Sequence, residues 1–180
     1  KIEKINGYRV LFLPQSESNL FYISCNIFGG FYIEKENELG ASHLLEHLVL
    51  TGWRKCKIPS CYTLTKLGVQ LNALTSHQHT QYHTYGLPIY ADTMIDYLTS
   101  IVISPKLTQE GLTREKFAVK TELLKIMKTS EWKISKEAAK LIYNSPKYYQ
   151  KVDIVKILDQ LKTLTLPKLK TLFEKVHTKD

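Results

Sequence analysis

Only three cysteines occur in the 180 residues. Cys56 and Cys61 stand too far apart for a Cys-x-x-Cys pair, which excludes a disulfide framework and favours the cytoplasm or another reducing compartment. Arginine is equally scarce, the basic side chains being 22 Lys and 3 Arg. Nucleic-acid surfaces depend on the bidentate guanidinium fork, so a net charge of +8 carried almost wholly by lysine reads as general lysine usage and not as a nucleic-acid surface. No apolar run approaches the ~18 residues that a membrane span needs, and there are no repeats or low-complexity tracts. What is there, 43% hydrophobic and 23% charged residues, is the composition of a single globular domain with a real core.

The densest chemical information lies in His43-Leu44-Leu45-Glu46-His47. At roughly 100° per residue, positions 43, 46 and 47 fall within about a 100° arc of one helix face. Two neutral imidazoles on adjacent turns can bind Zn²⁺. Glu46, too close to both to ligate beside them, can take a proton from metal-activated water. An amphipathic helix also carries such residues as its wet face. Leu44, Leu45, Leu48, Val49 and Leu50 argue against that, because they imply a helix buried on most sides, where unpaired ionisable groups are costly and want a cation.

A catalytic zinc usually takes three protein ligands and leaves a fourth position for water. The best candidate for the third is Glu122, in the unbroken helical run from Thr113 to Leu124. Glu115 precedes it by seven residues, about 20° from eclipsed on the same stripe, and fits a supporting role behind the metal. Taken alone, two Glu on a lysine-rich helix read as a solvated, salt-bridging face.

The order of these groups, His-x-x-Glu-His and then 74 residues before the second Glu of a Glu-x6-Glu pair, resembles the inverted zinc motif of the M16 metallopeptidases. Leu71-Asn72-Ala73-Leu74-Thr75-Ser76 with Thr80-Gln81-Tyr82 resembles that family's "NAxTxxxxTxY" strand pair. Asn6-Gly7-Tyr8-Arg9-Val10 resembles its opening strand, Gly29-Gly30 and Gly40 its glycine-rich approach to the zinc helix, and Leu166 to His177 a helix near the end of its module. The resemblance implies zinc ligation by His43, His47 and Glu122, with Glu46 as general base and Glu115 as the outer carboxylate. It further implies that an extended peptide adds as a strand to a sheet edge, with Asn72 and Ala73 contacting its backbone. It also implies a second M16-type module or subunit that helps enclose the substrate. Gly52-Trp53 departs from the family's Gly-Thr after the zinc helix, and residues 1–180 read as one module short of its last strand.

Patterning predicts strands over Tyr8–Leu13 and Leu20–Phe28, paired as a hairpin across Pro14 to Asn19, then a zinc helix started with help from Ser42 and closed at Gly52. A short helix from Cys61 to Leu67 precedes strands over Val69–Leu74 and Gln78–Leu87. Helices follow from Pro88 to before Pro105, from Thr108 to Tyr143 with a break near Thr129-Ser130, from Val152 to Leu161 and from Pro167 to His177. The expected fold class is α+β: an antiparallel sheet covered on one face by helices, as in the LuxS/MPP-like metallohydrolase module that the resemblance implies. His77, His79 and His83 alternate along a strand, which fits either the polar face of a sheet edge or a second metal site, and they lie close enough to Asn72 and Ala73 to flank a substrate groove.

The resulting expectation is a zinc-dependent endopeptidase acting on small or unfolded peptides, leader or precursor peptides among them, together with a second module or subunit and without nucleic acid or a membrane span. The alternative is a non-catalytic, zinc-binding partner subunit of an M16-type heterodimer. Retention of both His and both Glu argues against the alternative.

Overall fold

A computed structural model describes residues 1–55, 64–142 and 153–178. Asn6 (φ 52°) and Gly7 (φ 93°) adopt positive φ in succession. This is the backbone of the two-residue turn that Asn-Gly favours, because it matches the twist of two flanking strands. It folds β1 (Ile2–Ile5) back on β2 (Tyr8–Leu11) as a separate two-stranded ribbon. The predicted hairpin between Tyr8–Leu13 and Leu20–Phe28 is therefore not formed. β2 spends its pairing on β1, and Pro14 to Asn19 is a connection between two sheets.

The main sheet is antiparallel, in the order β3 (Phe21–Phe28), β5 (His79–Gly86), β4 (Gln70–Thr75). Its register sets Cys25 opposite Tyr82 and Ala73 opposite Tyr82 from the other side. Alternation along the strands divides the two faces. Ile27, Thr80, Tyr82 and Thr84 point into the core, while Tyr22, Phe28, Leu74 and Tyr85 are exposed on the other face.

The helices are α1 (Ala41–Leu50), α2 (Ala91–Ile103), α3 (Gln109–Ile126), α4 (Ser130–Ile142), α5 (Ile154–Leu161) and α6 (Leu166–Val176). They agree with the predicted helices to within a few residues. Pro88 opens a 3₁₀ turn that leads into α2, and Thr129 falls between α3 and α4. Of the predicted Cys61–Leu67 helix, residues 61–63 lie outside the described residues, as do Tyr143 and Val152, while Leu64 and Thr65 are helical and the turn that follows runs to Gly68. α1 packs on β4 and α3, and α2 packs on β3 and β5. One continuous core joins Leu44, Leu48 and Val49 of α1 to Tyr97 and Ile101 of α2 and Leu112 and Val119 of α3. The fold class is α+β, with antiparallel strands and the helices packed on one face of the main sheet. Among the described residues no helix is long and apolar enough to cross a membrane.

Candidate metal centre

α1 is fixed in place at its start. Gly40 stands at its N-cap in the left-handed region (φ 82°, ψ 3°) and has no side chain to offer the first-turn amides. The Gly40 and Ser42 N–H groups instead donate to Oε2 and Oε1 of Glu34, at 2.9 and 2.8 Å. A carboxylate at this end also meets the positive end of the helix dipole. Ser42 helps to hold the start of the helix without being its cap. It lies one residue inside the helix, and its hydroxyl donates to the Gly30 carbonyl at 2.8 Å. Gly30 (φ 67°) has no room for a β-carbon, which would strike the Ser76 carbonyl oxygen. The adjoining Phe31 and Tyr32 N–H groups donate to the carbonyls of Ser76 and His77, at 3.1 and 2.8 Å. The approach to α1 is in this way stitched to the turn between β4 and β5.

The core face of α1 carries the leucines, and its other side presents His43 and His47 to α3. Nε2 of His43 and Nε2 of His47 lie 3.6 and 3.3 Å from the same atom, Oε2 of Glu122. The two rings are 4.9 Å apart and crossed at 76°. One ligand atom from each of the three residues lies within 4.8 Å of the others, and among the described residues no other His, Cys, Asp or Glu cluster does this. Glu115, two turns before Glu122 on α3, is buried, with Oε2 3.3 Å from Nδ1 of His47. Its Oε1 accepts from Arg114 Nε at 2.8 Å and Thr51 Oγ1 at 3.4 Å. A carboxylate on Nδ1 makes that nitrogen the donor and directs Nε2 toward Glu122.

Electrostatics agree with the geometry. Burial opposes a charge on His47, but Glu115 and Glu122 outweigh it and hold its pKa up at about 9. Hydrogen bonds from His43 and His47 keep Glu122 well below the usual carboxylate range. Burial would raise Glu115, yet His47 and Arg114 bring it below its ordinary value. Glu46 moves the other way: burial raises it, against the Thr75 hydrogen bond and the two imidazoles. Two imidazole nitrogens and a carboxylate oxygen converging beside a half-exposed Glu122 fit a divalent cation such as zinc, with one side left for a further ligand. At neutral pH a proton on His47 takes up the attraction that such a cation would use.

The remaining expected site residues lie nearby in the fold but outside this cluster. Asn72 and Ala73 are on β4, an outer strand of the sheet, and the Ala73 N–H donates to the Asn72 side-chain carbonyl at 2.9 Å. His77 lies in the turn before β5, off the strand on which the alternation placed it. His79 Nδ1 is 2.9 Å from Ser76 Oγ, and the His83 ring is 5.8 Å from that of Tyr22. The three do not gather into a ligand set. Two contributors escaped the reading of the sequence: Glu34, which holds the start of α1, and Thr75, whose hydroxyl donates to Glu46 Oε2. Thr75 belongs to the motif already noted around Asn72, but no spacing rule links it to Glu46.

With the site in view, the chain can be set beside known proteins. The chloroplast stromal processing peptidase of Arabidopsis thaliana is 25% identical over 178 residues, which is 94% of this chain and 14% of that protein. The insulin-degrading enzyme of Drosophila melanogaster is 28% identical over 131 residues, 72% of this chain and 13% of the other. The first half of the periplasmic protease PqqL from Escherichia coli has the same fold, with a TM-score of 0.84 over 99% of this chain and 40% of that one, at 18% identity. The chain thus spans about an eighth of the length of these curated relatives. Residues 13–146 match the sequence profile of the family described as Insulinase (Peptidase family M16). On that match, which takes in well over half its length, the chain belongs to peptidase family M16.

Proposed function

We propose that residues 1–180 are the metal-bearing module of a zinc-dependent endopeptidase that hydrolyses small or unfolded peptides, including leader or precursor peptides, in company with a second M16-type module or subunit. The observation that carries this reading is the approach of both imidazole Nε2 atoms to one Glu122 oxygen. His43, His47 and Glu122 are the zinc ligands, and Glu115 orients His47 from behind. A zinc ion held there would supply Lewis-acid activation of water and of the scissile carbonyl. Glu46, buried and with its pKa raised, accepts the proton of the attacking water and returns it to the leaving amine nitrogen. The outer edge of β4 binds the peptide backbone at Asn72 and Ala73 as an added strand, so recognition rests on extended shape more than on side chains.

The reading is tested by zinc analysis after dialysis, together with cleavage of an extended fluorogenic peptide. Glu46→Gln should retain stoichiometric zinc and lose cleavage. Cleavage by this variant at the parent rate would remove Glu46 as the base. Zinc binding with no turnover by the parent, even alongside its partner module, would favour the non-catalytic subunit.

A further inference from the structure

We infer that Thr75 is the positioning residue for Glu46 and couples the peptide-binding strand to the general base; this rests on the role of Glu46 given above. The Glu46 carboxylate is held from outside its own helix. Its Oε2 accepts the Thr75 hydroxyl at the end of β4, and among the described residues that is its one hydrogen bond. Thr75 faces Thr80 across the strand pair, with the hydroxyl oxygens 3.4 Å apart. A hydroxyl has a single proton to give, and that of Thr75 goes to Glu46, so Thr80 is the donor in the second contact. The bonds therefore run in one direction, from Thr80 to Thr75 to Glu46. All three side chains are buried, where water does not compete and such bonds reinforce one another.

Two consequences follow. Oε2 is committed as an acceptor, which leaves the other oxygen of Glu46 for proton transfer. A β-branched side chain with a stiff first torsion fixes where that oxygen points. Thr75 also lies two residues from Ala73, about 6–7 Å along the same strand. A peptide registered on β4 at Ala73 is thereby registered on the base, so the bond that is cut is set by a residue count along the strand.

The test uses the full chain with its partner module. Thr75→Val keeps the shape and removes the hydroxyl. It should bind zinc as the parent does, keep KM within about twofold and lose about ten- to a hundredfold in kcat, the usual range for losing a group that orients a catalytic residue. Thr75→Ser should recover most of the loss. If the valine variant does not fold, Thr75→Ala against Thr75→Ser makes the same comparison. A kcat without the hydroxyl within about twofold of the parent overturns the inference, while loss of cleavage in Glu46→Gln leaves the role of the base standing. A readout independent of turnover is the Thr75 hydroxyl proton in the NMR spectrum. It should be protected from exchange and should shift in Glu46→Gln, and a signal unchanged in that variant also overturns the inference.

Discussion

His47 and His177 are both largely buried, yet their environments move them in opposite directions. His47, between α1 and α3, is flanked by Glu115 and Glu122 and is held at about 9. His177, just past α6, is pushed down to about 4 by burial, and only the Val102 carbonyl at 2.9 Å resists the shift. Its ring stacks on Phe173 with centroids 4.1 Å apart. One imidazole sits in a setting that favours its charged form and the other serves as an aromatic packing piece. The lesson is that burial alone favours the neutral ring, and that neighbouring carboxylates reverse this and favour the charged one.

That contrast can be broken at several points. The largest effect belongs to the proposed ligands: Glu122→Gln or His43→Ala should lower zinc affinity by more than ~100-fold, beyond the cost of losing a group behind a ligand. Metal analysis after dialysis checks this, and full occupancy would contradict it. Glu115→Gln should cost about tenfold in zinc affinity. In the chelated protein the same change should bring His47 titration, followed by NMR, toward the ordinary histidine value.

Smaller effects appear in stability against pH, with opposite signs for the two histidines. The folded pKa of His47 lies above the unfolded value of 6.5, so its contribution in the chelated protein is complete below pH 6.5 and is lost as the pH rises through about 9. The folded pKa of His177 lies below 6.5, so the unfolded chain binds the extra proton and stability falls as the pH drops from 6.5 toward 4. Urea unfolding of His177→Asn, which keeps a donor for Val102, should flatten the acid-side slope by on the order of 1 kcal/mol per pH unit. An unchanged slope would assign it to other groups.

Local signals carried most of what was legible in the sequence. The leucines around His43 and His47, the unbroken run through Glu115 and Glu122, and Pro88 ahead of α2 each speak within a few residues, and the helices lie where they point. Non-local pairing was less legible. Asn6-Gly7 signals a turn, yet the longer polar stretch from Pro14 to Asn19 reads as the hairpin because nothing in the sequence says which neighbour β2 chooses. The Glu34 cap reaches α1 from a preceding loop, and Thr75 meets Glu46 from another strand, so helical periodicity carries no trace of either. Glu122 became legible through family likeness, because 74 intervening residues erase any geometric rule.

The hydrogen bond from the Ala73 amide to its own neighbour's side chain carries a last consequence. An open sheet margin invites another copy of the same protein to stick to it, and proteins blunt such margins to stay apart in a crowded cell. Here the Asn72 carboxamide accepts the Ala73 N–H, so that one donor of this outer strand is already paired within its own chain.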